Sequence, residues 1–117
     1  MTYTIAKSFS FAASHQLDHL PQDHKCARLH GHNYTVTLML CADNPDDDGF
    51  VEDFGALDDF KGYIKTTLDH RHLNDLLKPA TSEHLAAFLF DVAVKTHPAL
   101  VAVIVSETPT TWAEYRP

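Results

Sequence analysis

The chain has 117 residues, 44% hydrophobic and 21% charged, with a formal net charge of −7 at pH 7. This size and composition predict one globular domain, residues 1–117, around a single modest core. Sixteen acids against nine bases suit nucleic acid poorly. No apolar run reaches membrane-spanning length, and the alternating start MTYTIAKSFSF lacks the apolar block of a signal peptide. The expectation is a cytoplasmic protein with neither nucleic acid nor membrane as partner.

In chain order, YTIAKSFSFAASH alternates, with Tyr3, Ile5, Phe9, Phe11, Ala13 and His15 on one parity, and reads as a strand. The polar, proline-containing QLDHLPQDHKCAR is a connecting loop. In LHGHNYTVTLMLCA a second strand carries His30, His32, Tyr34, Val36, Leu38 and Leu40 on one face. The acidic stretch 43–49 reads as a solvated loop, and FVEDF as a brief extension of strand pairing. From Gly55 to Leu68 the period becomes helical, through Leu57, Phe60, Ile64 and Leu68.

LDHRHLND interrupts that pattern. Thr81 or Ser82 then caps a second helix, with Glu83 in its first turn and Leu85, Phe88, Leu89 and Val92 as its apolar stripe. Its end is expected near THP, before Pro98. ALVAVIVSET, apolar on both parities, is a buried strand, and TTWAEY a short last one. Strand, strand, helix, helix, strand, strand predicts an α+β fold: a four-stranded antiparallel sheet with both helices on one face.

His30 and His32, two apart on a strand, share a face with Cα atoms about 6.6 Å apart. Imidazoles so spaced can converge on one metal ion, although an isolated H-x-H is more often two hydrogen-bonded histidines. A catalytic zinc usually takes three protein ligands. His15 is in phase with its strand's buried face and close to His30 if the two strands are antiparallel neighbours. A cupin-type H-x-H would want a carboxylate soon downstream, and NYTVTLMLC has none.

Of the two cysteines, Cys41 reads as a packed small residue. Cys26 lies between Lys25 and Arg28, where positive charge favours the thiolate. Without a secretory signal each thiol is expected reduced. Asp69 can orient His70 for acid–base work, against the plainer reading of a polar helix end. Glu107 extends the parity of Val101, Val103 and Val105. It is either an exposed strand end or a carboxylate paired with two adjacent N–H donors, such as the guanidine-like edge of a pterin or guanine. His19, His24, His84 and His97 are read as surface residues.

FSFAASH, HKCARLHGHNY, VEDFGALD, LDHRHLND, TSEHLA and SET, in that order, resemble the 6-pyruvoyltetrahydropterin synthase superfamily. The C-x3-H-G-H spacing from Cys26 to His32 resembles most its bacterial 6-carboxytetrahydropterin synthase branch. The resemblance implies the T-fold, with subunits assembling into barrels and sites between them. It implies zinc on His15, His30 and His32, Cys26 as proton acceptor, and Asp69 and His70 in supporting acid–base steps. Glu107 would anchor the pterin and join the relay, beside Thr81 and Ser82. Lys25, Arg28 and Arg71 are the cations available to a triphosphate. The implied reaction converts 7,8-dihydroneopterin triphosphate to 6-carboxy-5,6,7,8-tetrahydropterin, acetaldehyde and triphosphate, on the route to queuosine and other 7-deazapurines. The alternatives are the pyruvoyl synthase reaction and a non-catalytic pterin- or metal-binding module. The tail PTTWAEYRP departs from the branch's shorter side chains, and Trp112 falls where the pocket rim is expected.

Overall fold

The computed structural model describes residues 2–117. Strand β1 (Tyr3–His15) and strand β2 (His30–Ala42) form a long antiparallel pair in which Tyr3 opposes Ala42 and His15 opposes His30. Helix α1 (Asp58–Thr67) follows, then the two-residue strand β3 (Arg71–His72), helix α2 (Ser82–Ala93) and strands β4 (Leu100–Thr108) and β5 (Thr111–Tyr115). The sheet order is β3-β1-β2-β4-β5. This is the expected α+β architecture with one strand more than the expected four. The extra strand arises because His70 N–H bonds Ala12 O (2.6 Å), which lays Arg71 and His72 parallel to Ala13 and Ser14.

Alternation decides the faces. Phe9, Phe11, Ala13 and His15 of β1 and Tyr34, Val36, Leu38 and Leu40 of β2 are buried, joined by Val103 and Val105 of β4. Leu57, Phe60, Ile64 and Leu68 cover this face from the α1 region, at the spacing the sequence predicts. Cys41, expected in the packing, lies half-buried on the opposite parity, where its Sγ meets Thr4 Oγ1 at 3.1 Å.

Three expectations need correction. FVEDF is not strand: Asp46 Oδ1 takes the Phe50 N–H, and Asp53 Oδ1 takes that of Gly55, turning the chain into a 3-10 turn at Phe54–Leu57. Helix α2 buries Leu85, Ala86, Leu89, Phe90 and Ala93, while Phe88 and Val92 are half-buried. Alanines at 86 and 93 let the helix approach the sheet on that side. The helix also stops at Ala93, where the Thr96 and His97 N–H groups both fold back onto its carbonyl.

Between β4 and β5, Val105 pairs with Ala113 and Thr108 with Thr111. Ser106 and Glu107 therefore oppose Trp112 alone, a β-bulge that bends β4 at its carboxylate.

Candidate functional site

The end of the β1–β2 pair concentrates three imidazoles. Their ring centroids lie 4.4 Å (His15–His30), 5.0 Å (His15–His32) and 4.9 Å (His30–His32) apart. One ligand nitrogen from each lies within 4.8 Å of the others. The second nitrogens fix the tautomers. His15 Nδ1 donates to Ala80 O (2.7 Å) and His30 Nδ1 to Arg28 O (2.7 Å), so both Nε2 atoms carry lone pairs, yet they face each other at 2.9 Å. Two acceptors in that position share no proton; a cation between them relieves the conflict. His32 Nε2 is buried with no hydrogen-bond partner among the described residues. Burial holds the His32 pKa below its ordinary value against the opposing pull of Glu107, and the two neighbouring imidazoles act in the same direction as burial. This donor set fits a metal ion with nitrogen preference, zinc included.

Glu107 Oε2 lies 3.6 Å from His32 Nε2, and Ser82 Oγ donates to Glu107 Oε1 at 2.7 Å. Ser82 opens α2, and the preceding Thr81 caps it by accepting the His84 N–H (3.2 Å). Thr81, Ser82, Glu107 and Trp112 line one cleft of about 440 Å³. His32, Gly31, Ala12, His70 and Arg71 line a second, wider one of about 610 Å³. His32 of the second cleft and Glu107 of the first stand 3.6 Å apart. Glycine at 31 suits the close strand approach between the two histidines, since a Cβ there would lie 3.3 Å from Ala13 O, tighter than an ordinary contact.

The remaining candidates are more dispersed. Cys26 sits half-buried in a 3-10 turn (Lys25–Ala27); its carbonyl takes the Leu17 N–H (2.9 Å), tying it two residues beyond His15. His24, expected at the surface, is exposed and accepts the Cys26 N–H (3.1 Å). Asp69 and His70 form the expected pair, His70 Nδ1 lying 3.0 Å from Asp69 Oδ1. Asp69 also accepts the Ala12 N–H (3.0 Å), and this bond, followed by His70, lowers its pKa. His70 has φ +59° and an 82% exposed side chain, a backbone conformation uncommon outside glycine. No hydrogen bond joins this pair to Cys26 or to the three imidazoles among the described residues. Lys25 and Arg28 are exposed, and Arg71 reaches the Thr66 carbonyl at 3.3 Å.

His97 overturns its surface reading. It is 4% exposed, with Nδ1 on Glu52 (2.9–3.0 Å) and Nε2 on Asp59 (2.8 and 3.1 Å). Burial alone would lower its pKa, but its bonds to Glu52 and Asp59 and their charges raise it. Its partners lie in remote, unpatterned positions, so local spacing gave no signal. Tyr34, on the apolar face of β2, carries a polar group that strand parity alone does not flag. Its hydroxyl is buried and unpartnered among the described residues, and burial followed by the Glu107 charge raises its pKa well above the usual value.

The sequence profile of the 6-pyruvoyl tetrahydropterin synthase family matches residues 4–117. The chain is 38% identical to the 6-carboxy-5,6,7,8-tetrahydropterin synthase of Synechocystis sp., across 97% of this chain and 92% of that one. It is 30% identical to the Bacillus subtilis protein of the same name, across 99% and 86% respectively. The solved 6-pyruvoyl tetrahydropterin synthase of Caenorhabditis elegans superposes with a TM-score of 0.85 at 26% identity, covering 100% of this chain and 96% of that one. The family profile over residues 4–117, the relatives matched over nearly the whole chain and the superposed fold agree: the chain belongs to the 6-pyruvoyl tetrahydropterin synthase family.

Proposed function

We propose that residues 1–117 act as one catalytic domain, a zinc-dependent 6-carboxy-5,6,7,8-tetrahydropterin synthase. Its substrate is 7,8-dihydroneopterin triphosphate, its products are 6-carboxytetrahydropterin, acetaldehyde and triphosphate, and its place is the cytoplasmic route to queuosine. The observation that carries the reading is the carboxylate of Glu107, held by Ser82 and 3.6 Å from the unpartnered nitrogen of His32. A ring anchor and a metal-ligand set thus share one site. The relatives that bear the carboxy name favour that product over the pyruvoyl one.

His15, His30 and His32 would hold the zinc, which supplies Lewis acidity toward the substrate's side-chain oxygens. Glu107 accepts paired N–H donors from the edge of the pterin ring, while the Ser82 hydroxyl fixes the carboxylate's orientation. Cys26 takes a proton from substrate carbon. Asp69 holds the His70 ring by its Nδ1, leaving Nε2 to exchange protons with the substrate. Lys25, Arg28 and Arg71 offset the triphosphate charge.

The His70 side chain is exposed, and among the described residues β1 has no strand partner for residues 3–12 on its outer edge. A neighbouring subunit supplies that edge and closes the sheet into a barrel, with sites between copies. The deciding experiment incubates the purified protein with 7,8-dihydroneopterin triphosphate, identifies the pterin by mass and assays acetaldehyde. A pyruvoyl product without acetaldehyde overturns the carboxy assignment, and unchanged substrate overturns the catalytic reading.

A further inference from the structure

We propose that Trp112 forms the aromatic wall of the substrate cleft, stacking its indole on the planar bicyclic ring that Glu107 holds by its edge. The inference rests on the pterin reading and adds a positioning residue to it. Two independent observations carry it. Trp112 lines the same cleft as Glu107, Ser82 and Thr81, and no other side chain there offers an extended aromatic surface. The β4–β5 bulge sets Trp112 opposite Ser106 and Glu107, so one backbone irregularity positions both the carboxylate and the indole. Ser106 Oγ steadies this corner by donating to Thr111 O at 2.7 Å.

The physical need is clear from what Glu107 can and cannot do. A carboxylate accepting two in-plane N–H bonds fixes a ring's position and direction within its plane. It leaves both π faces unheld and the tilt free. A second constraint must come from a surface parallel to the ring. Trp112 is 67% exposed, an unusual amount of apolar surface to leave in water unless something covers it. A stacked heterocycle covers it and fixes the tilt, which in turn aims the ring's substituent toward the imidazole cluster.

The tryptophan is its own reporter, because the chain has only one. Zinc-loaded parent protein is titrated with neopterin, following indole emission and calorimetric heat together. The proposal expects emission to be quenched with the calorimetric midpoint. Trp112→Ala and Trp112→Leu should weaken calorimetric affinity roughly 5- to 150-fold, and Trp112→Phe should retain most of it. Circular dichroism and zinc content matching the parent establish that the variants are folded. Binding heat with unchanged emission overturns the proposal, as do alanine and leucine variants that bind like the parent. If Trp112→Ala sediments as a smaller species with unaltered affinity, the indole is a contact between copies and the proposal falls. No binding by the parent at all overturns the pterin reading and this inference with it. Loss in Glu107→Gln alone, with Trp112→Ala unaffected, removes only the inference.

Discussion

Replacing His97 with leucine tests whether the chain depends on a buried imidazolium outside the candidate site. Both ring nitrogens bond carboxylates, so the ring must carry two protons and a positive charge. A charge-assisted hydrogen bond contributes about 1.5–3 kcal/mol. Full loss of two such bonds would overstate the cost, because the Asp59 side chain is 49% exposed and that of Glu52 22%. Both carboxylates recover part of their hydration in the variant, leaving a net loss of about 2 kcal/mol. At an unfolding entropy of about 2.1 cal/mol/K per residue, this lowers Tm by about 8 °C.

The pH dependence carries a definite sign. His97 titrates above its reference of 6.5, so its contribution is complete below pH 6.5 and fades as pH rises through the higher folded value. Asp59 behaves oppositely. Burial would raise its pKa, but the hydrogen bond and charge of His97, with the Phe60 N–H and Thr96, lower it. Its contribution is present above the reference of 3.8 and lost as pH falls through the depressed value. The Tm difference between parent and His97→Leu should therefore peak between these limits and narrow at alkaline pH. Calorimetric scans across pH check this, with the His97 pKa followed by NMR. Equal Tm values, or a difference that stays flat into alkaline pH, would refute the imidazolium assignment.

Metal analysis should find about one zinc per chain, and His30→Ala or His32→Ala should lose most of it; full content in both variants would locate the ion elsewhere. Cys26→Ala should bind zinc and pterin yet lose kcat, whereas Glu107→Ala should bind pterin roughly tenfold to a hundredfold more weakly. Steady-state kinetics paired with direct titration separates the two, and normal turnover in Cys26→Ala would remove its proton-transfer role.

Features with a period were legible in the sequence. Strand parity put His15 in phase with Phe9, Phe11 and Ala13, and antiparallel pairing then brought it opposite His30. The α1 stripe and the Thr81 cap followed from equally local rules. What escaped depends on contacts between distant segments. Strand β3 exists because Asp69 and His70 bond Ala12, far away in the chain. The α2 stripe is rotated because small Ala86 and Ala93 face the sheet, which hydrophobicity alone ranks below Phe88 and Val92. His97 has its partners 45 and 38 residues away, so it looked like any polar loop histidine. The Asp69–His70 pair was legible as a pair, but no hydrogen bond among the described residues joins it to Cys26.

The short run from Ala80 to Ser82 acts as a gauge block. The carbonyl of its first residue accepts the His15 Nδ1–H bond and the hydroxyl of its last donates to Glu107, each at 2.7 Å. The imidazole cluster and the carboxylate are thus both tied to three consecutive residues at the mouth of α2. Trp112 is borne by β5, outside that run. On the proposed stacking, substitutions in the tail would alter how the ring is presented and leave the span between the cluster and Glu107 unchanged, so selectivity and reactivity would be free to diverge separately.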